Sequence, residues 1–273
     1  ALTNQSNKII GLLHLGEIYR IDTTKRIQKL YGTQDDSHPG VRMIKKLQAV
    51  FLAGKVDLFE RRKSSTQEFE LTPLQVRQLF EERNWSKIVG FHTRNVIHRS
   101  HEFIQLKALE QEFCDGLFVH PVIGQKKQGE FESKHIIDSY QIMMRNFYPK
   151  DRVLFAVLAT YSRYAGPREA LFTAICRKNF GCSHFIVGRD HTGVGDFYSP
   201  TASHTIFDRF PDLGIKPVKF KNVFYSKKLK SHVHEESNSN HAPDEKVCIS
   251  GTQVRESNKK GGTPPEWFMR PEI

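Results

Sequence analysis

A chain of 273 residues with 38% hydrophobic and 26% charged side chains has the composition of a globular protein and enough length for one large domain or two of ordinary size. No apolar run reaches the roughly 18 residues of a membrane helix, and no basic-then-apolar leader ends at a small-residue cleavage site, so the expectation is a cytoplasmic protein. The net charge of +11 asks for anionic partners: nucleic acid is the generic candidate, but the basic residues are spread along the whole chain without a nucleic-acid-binding signature, and a site for several small anions explains part of the excess equally well.

In chain order, short strand-like runs at Ile9–Leu13 and around Ile18–Tyr19 come first. A basic helix from Thr24 to Tyr31, a polar loop and a second helix from about Val41 to Ala53 follow, and a linker at Arg61–Gln67 precedes a new domain. Thr72-Pro73 signals a helix start, hydroxyl as N-cap and proline at the first helical position. Beyond it, apolar strands at Lys87–Phe91, Gly116–Ile123, Val153–Ala159 and His184–Val187 alternate with helices at Arg99–Phe113, His135–Phe147 and Pro167–Asn179, the last closed by Gly181. Continuous apolar strands separated by amphipathic helices predict a parallel sheet covered on both faces, with Phe103, Phe113, Phe147, Phe155 and Phe172 in the core. The cysteines Cys114, Cys176, Cys182 and Cys248 lack paired spacing and read as reduced thiols, the first three in apolar, buried segments.

Ligands of such sheets bind beyond the C-terminal ends of the strands, and two motifs sit there. In the run His92-Thr93-Arg94-Asn95-Val96-Ile97-His98-Arg99-Ser100-His101, His98 and His101 fall three apart at a helix start, so both imidazoles face one side beside unpaired N–H groups. That combination suits triphosphate oxygens; Arg94 adds a planar fork for a tetrahedral oxyanion, and Asn95 an amide to orient a phosphate oxygen. A metal pair or a plain surface pair of histidines is the alternative for the His-x-x-His spacing by itself. In Gly188-Arg189-Asp190-His191-Thr192-Gly193-Val194-Gly195 the glycines let backbone N–H groups approach a ligand, Arg189 supplies a second guanidinium and Asp190 an acceptor for sugar or base; alone, the segment reads as an ordinary turn. Arg168 and Glu169 read as helix-start charges. His232, His234 and His241 lie in the polar stretch Lys227–Lys246; a solvated loop is the expectation and a metal site the alternative, since no spacing fixes a ligand geometry.

These motifs resemble the ATP sulfurylase (sulfate adenylyltransferase) family. His92 to His101 is similar to its Gln-x-Arg-Asn-x-x-His-x-x-His segment, and Gly188–His191 to its Gly-Arg-Asp-His loop. Tyr164–Ala170, Ile249–Thr252 with Arg255, and Pro264–Phe268 resemble the family in the same order. The resemblance implies an α/β fold: a Rossmann-like parallel-sheet nucleotidyltransferase core at residues 72–220, a partial N-terminal PUA-like β domain with a helical linker at 1–71 that lacks its start, and a small C-terminal lobe at 221–273. It further implies direct attack of sulfate on the α-phosphorus of ATP, giving adenosine 5′-phosphosulfate and pyrophosphate. Thr93, Arg94, Asn95, His98 and His101 would be catalytic. His92, Thr93, Arg94, Asn95, Gly188, Arg189, Asp190, His191 and Val223 would bind ATP, with Val223 against the adenine; His92, Arg94 and the backbone of Thr192 would bind sulfate. Mg2+ would arrive as MgATP. The cysteine cluster that binds zinc in some members is missing at Ser226–Leu229, so no protein-bound zinc is expected, and a homo-oligomer is.

His92 stands where the family has glutamine and Thr192 where it has alanine. A histidine there would be expected to titrate near neutrality. These departures motivate one alternative, an adenylyltransferase for another oxyanion; the charge motivates a second, a non-catalytic basic module for nucleic acid.

Overall fold

The computed structural model describes residues 1–60, 64–124, 130–237, 240–248 and 261–273 and divides into two compact units, residues 1–68 and 69–273. The Ile249–Thr252 and Arg255 motif therefore lies outside the described residues.

The first unit holds β1 (Leu2–Thr3), β2 (Ile9–Arg20), α1 (Thr23–Tyr31), α2 (Pro39–Lys45) and β3 (Val50–Leu58), the strands pairing antiparallel in the order β1-β2-β3. The two strand-like runs expected at its start are one strand: Gly16 sits in a register shift between Leu15 and Glu17 and does not end the pairing. The helix expected over Val41–Ala53 is corrected to a short helix followed by a strand. His38 Nδ1 accepts from the backbone N–H groups of Gly40 and Val41, which starts α2 earlier, and the β-rich run from Val50 pairs with β2 from Arg20 back to Gly11. Long-range pairing overrides a local helical pattern here. Asp22 caps α1 by accepting from Lys25 N, and Gly32, at φ 73°, ends it. Ile27, Tyr31, Val41 and Ile44 form a small buried cluster, whereas Ile9, Leu12, Leu15, Ile18, Leu52, Val56 and Leu58 along the β2–β3 hairpin are exposed.

The second unit runs α3 (Pro73–Glu82), β4 (Ile88–Phe91), α4 (Arg99–Gln111), β5 (Gly116–Val119), α5 (Ser133–Asn146), β6 (Val153–Phe155), α6 (Pro167–Asn179), β7 (His184–Val187), α7 (Ala202–Thr205), β8 (Lys216–Lys219), β9 (Val223–Ser226), β10 (Ser231–His234) and β11 (Lys246–Val247). Five parallel strands form the expected sheet in the order β6-β5-β4-β7-β8; β9, β10 and β11 form a small antiparallel sheet. Every residue of β4, β5 and β7 is buried, because each strand feeds both faces. Val89, Leu117 and Ile186 pack with Ala108, Ile136 and Tyr140 on one side; Ile88, Phe118 and Phe185 pack with Val76, Phe80 and Ala174 on the other. Period-two alternation in fully covered strands produces continuous apolar runs of this kind. Among the described residues no helix is long and apolar enough to cross a membrane.

The predicted Thr72 cap is present and is reciprocal: Gln75 N donates to Thr72 Oγ1 and Thr72 N to Gln75 Oε1. α6 spans the predicted residues, and Gly181, at φ 102°, turns the chain into β7. Not all aromatic expectations hold. Phe103, Phe147 and Phe155 pack against the core, but Phe113 is 83% exposed, because it adopts the left-handed conformation just past the end of α4, and Phe172 projects to the surface beneath the Arg163 guanidinium. Cys114 and Cys182 are buried, Cys176 is half-buried and Cys248 exposed, all four unpaired. The Lys227–Lys246 stretch is not a solvated loop throughout: His232 and His234 lie on β10, and buried His234 and His241 bond Lys221 N and Ser226 Oγ.

Gly116 begins β5 flush against Trp85, and a Cβ there would stand 2.1 Å from the indole. Gly116→Ala is therefore expected to cost about 1–3 kcal/mol by overpacking, read as a lower denaturation midpoint at unchanged denaturant slope.

Candidate active site

β4 is the point where the sheet order reverses, with β5 on one side and β7 on the other. Such reversals open a crevice at the strand ends, and both predicted motifs emerge into it. The 188–195 loop is held from several directions. His204 Nε2 lies 3.1 and 3.2 Å from the carbonyls of Val187 and Gly188, Asp190 N donates to Pro200 O, and Ser203 Oγ donates to His191 O. Asp190 and Thr192 adopt left-handed φ values of 51° and 56°. For a β-branched residue that conformation is strained. Thr192 is secured by its hydroxyl, which donates to the carbonyls of Gly166 and His191, and by its carbonyl, which accepts from Gly166 N.

Two cavities meet at this loop. The smaller, about 200 Å3, is lined by His92, Thr93, Arg94, Asn95, His101 and Gly188–Thr192, with Phe91, Ile104 and Ile186. The larger, about 690 Å3, takes His98, Arg189, Asp190 and Val223 among its walls, with Asn222, Val247 and Trp267. Arg189 and Asp190 line both. Pockets for cofactor-sized ligands span roughly 300–1,000 Å3, so the larger cavity is of nucleotide size and the smaller is not. Every residue to which the resemblance assigns catalysis or the binding of ATP or sulfate thus lines one cavity or the other. A wider groove of about 960 Å3, lined among others by Arg99, Phe103, Tyr225 and Trp267, lies along α4 and shares His232 and Trp267 with the larger cavity.

The histidine pair differs in detail from the expectation. His98 is the N-cap of α4 with no side-chain capping bond, and its ring stacks on His101 at 3.7 Å and on Phe268 at 4.9 Å. Arg99 N donates to Phe268 O, so one of the helix-start N–H groups is already occupied by the C-terminal segment. Both side chains are half-buried, and the Nδ1 of each is buried without a partner among the described residues. Burial holds His101 down at about 4, and burial with the neighbouring His101 holds His98 well below the usual histidine range. His92 was expected to titrate near neutrality; burial first, then the charge of Arg177, depresses it strongly, and His191 is held at about 3 by the same causes. At neutral pH these are neutral imidazoles, each with one N–H to donate.

Permanent positive charge comes from arginines. Arg94 Nε lies 3.3 Å from Glu130 Oε1, its Nη2 3.5 Å from Gly193 O, and its guanidinium 4.9 Å over the Tyr164 ring. Tyr164 in turn donates to Glu130 Oε1 at 2.9 Å. The fork is aimed before any ligand arrives. Glu130 carried no sequence signal, and Tyr164 stood in a family-like stretch without a role. Glu169, read as a helix-start charge, is buried and accepts from Arg163 N and Ala165 N, which orders the turn carrying Tyr164. Among the described residues no group of three or more His, Cys, Asp or Glu is arranged to hold a metal ion.

The family model for ATP-sulfurylase matches residues 67–273, and that for a PUA-like domain matches residues 1–61. The chain belongs to the ATP-sulfurylase family. It is 44% identical over 276 residues to a sulfate adenylyltransferase of Synechococcus sp. (strain JA-3-3Ab), covering 100% of this chain and 70% of the relative. It is likewise 44% identical over 267 residues to a sulfate adenylyltransferase of Staphylothermus marinus, covering 98% and 69%. Among solved structures, a hexameric APS kinase from Thiobacillus denitrificans superposes with a TM-score of 0.74 at 20% identity, covering 100% of this chain and 47% of that one, which establishes the fold. The PUA-like and Rossmann-like expectations agree with these matches.

Proposed function

We propose that the chain is a sulfate adenylyltransferase that joins MgATP and sulfate into adenosine 5′-phosphosulfate and pyrophosphate. The observation that carries this reading is the pair of cavities, one of nucleotide size and one of small-anion size, meeting at Arg189 and Asp190. MgATP occupies the larger, adenine against Val223, and its phosphates reach across the shared wall of Arg189 and Asp190 toward Gly188 and His191. His98 and His101 donate to the phosphates and to the leaving pyrophosphate. Sulfate occupies the smaller cavity, held by His92, Arg94 and the Thr192 backbone. Its oxygen then attacks the α-phosphorus in line, between Thr93, Arg94 and Asn95, without a covalent enzyme intermediate. Two anions must be brought together and the added charge of the transition state absorbed; aimed arginine forks and neutral imidazole donors do this with little reorganisation. Magnesium arrives on the nucleotide. A cytoplasmic setting, where MgATP is plentiful, and a symmetric homo-oligomer complete the reading.

Exchange of labelled pyrophosphate into ATP tests it. Sulfate-dependent exchange is expected. Exchange supported only by another oxyanion would move the function to the alternative that His92 and Thr192 raise, and no exchange with any oxyanion would refute the enzyme reading.

A further inference from the structure

α6 carries a fully buried cation to which the reading above gives no role. Arg177 is fully buried, and among the described residues it makes no ion pair. Its Nη2 donates to His120 O at 2.5 Å and its Nη1 approaches Thr173 O at 3.5 Å, while its Nε has no partner among the described residues. Burial lowers it only to about 10, so it is a guanidinium at neutral pH. A buried cation without an acid costs several kcal/mol of desolvation, and hydrogen bonds to two carbonyls could come from a neutral group at less expense.

Its position explains what it is for. The aliphatic part of Arg177 lies across Gly90 of β4, two residues before His92, and a Cβ there would stand 2.9 Å from Arg177 Cγ. One turn back on α6, Thr173 donates to Ala170 O, and its hydroxyl lies 3.4 Å from His191 Nε2. The rings of His92 and His191 are 5.6 Å apart, and both line the small cavity. Arg177 thus reaches His191 through Thr173 and His92 through the strand that leads into it, and its charge acts on both imidazoles without its lining the cavity. The other cations are differently placed: the charge of Arg94 is offset by Glu130, and Arg189 is exposed at the shared wall.

We propose that Arg177 is the fixed counter-charge of the small cavity, acting through the field behind His92 and His191 to favour a doubly charged oxyanion over a singly charged one. The anion that enters is its missing ion-pair partner. Because it touches no substrate it is a positioning residue. The two neutral imidazoles hand its charge to the ligand as hydrogen bonds without adding titrating charges of their own. The proposal rests on the sulfate adenylyltransferase reading.

A field acts in proportion to ligand charge, whereas a packing defect does not. The test compares the KM for sulfate with the inhibition constant of perchlorate, a singly charged tetrahedral competitor, both read in pyrophosphate exchange on the full chain. Arg177→Met is expected to weaken sulfate about 25-fold and perchlorate about 5-fold, one factor the square of the other, with the KM for ATP within about twofold. Arg177→Gln, which keeps a donor for the His120 carbonyl, should behave alike. Arg177→Lys, which keeps the charge, should retain most of the discrimination. Equal losses for the two anions in the Met and Gln variants, or unchanged constants, would overturn the proposal, as would loss of the fold in all three variants, which would assign Arg177 to the core alone. Absence of exchange in the unsubstituted protein would instead refute the underlying reading of the site.

Discussion

Arg94→Ala is expected to lower sulfate-dependent pyrophosphate exchange by about two to three orders of magnitude, the usual result of deleting one aimed donor to developing negative charge. Arg94 sits on the wall of the small cavity, and its fork is already turned by Glu130 and Tyr164. Arg94→Lys would keep a charge but lose the planar fork, so it should recover only part of the rate. The fold should survive, because Arg94 is partly exposed and Glu130 keeps its hydrogen bond from Tyr164. A thermal midpoint within a few degrees of the parent, together with the lost exchange, is the expected pair of measurements. Retained exchange would remove Arg94 from the reaction.

The second large effect is acid instability. His101 is half-buried and His191 buried, and desolvation holds them at about 4 and about 3, against 6.5 for a free histidine. Between those values the unfolded chain binds protons that the folded chain does not, so stability rises with pH across that window. It is fully present above about pH 6.5 and is lost as the pH falls. At pH 5 each of these two contributes a loss of about 2 kcal/mol. His92, His98 and His120 are depressed in the same direction by burial, and each adds to the loss. Raised carboxyls at Glu169 and Asp190, desolvated by burial, oppose it, because they take up a proton in the folded protein first. Against a domain stability of roughly 5–15 kcal/mol the histidines win. Circular dichroism should show the second unit unfolding near pH 5 at room temperature; a denaturation midpoint at pH 5 equal to that at pH 7.5 would contradict the neutral, buried state of these rings.

Much of this was legible from residue order because the informative segments are local. β4, β7 and α6 are bounded by their own punctuation, Pro167 at a helix start and Gly181 after its end, and by short runs that are apolar throughout. The two motifs announce themselves because both directly follow such strands. What was not legible depends on partners distant in sequence. The end of α2 and the start of β3 are decided by pairing with β2, and the burial of His234 and His241 by the small sheet they help to close. Arg177 reads as one more basic residue near the end of a basic helix; only the approach of the His120 carbonyl, 57 residues earlier, and of the strand beneath reveals its burial. Glu130 and Tyr164 are likewise 34 residues apart.

The uneven burial of the two units has a consequence for how the chain breathes. In residues 1–68 the long hairpin leaves most of its large apolar side chains in solvent, and the buried cluster comes chiefly from α1 and α2. Backbone amides there can be released by small openings that leave the parallel sheet intact, whereas those of β4, β5 and β7 can be released only when the second unit opens as a whole. Deuterium should therefore enter the hairpin long before the strands beneath the two cavities, and the slowest-exchanging amides should be those directly below His92 and Gly188.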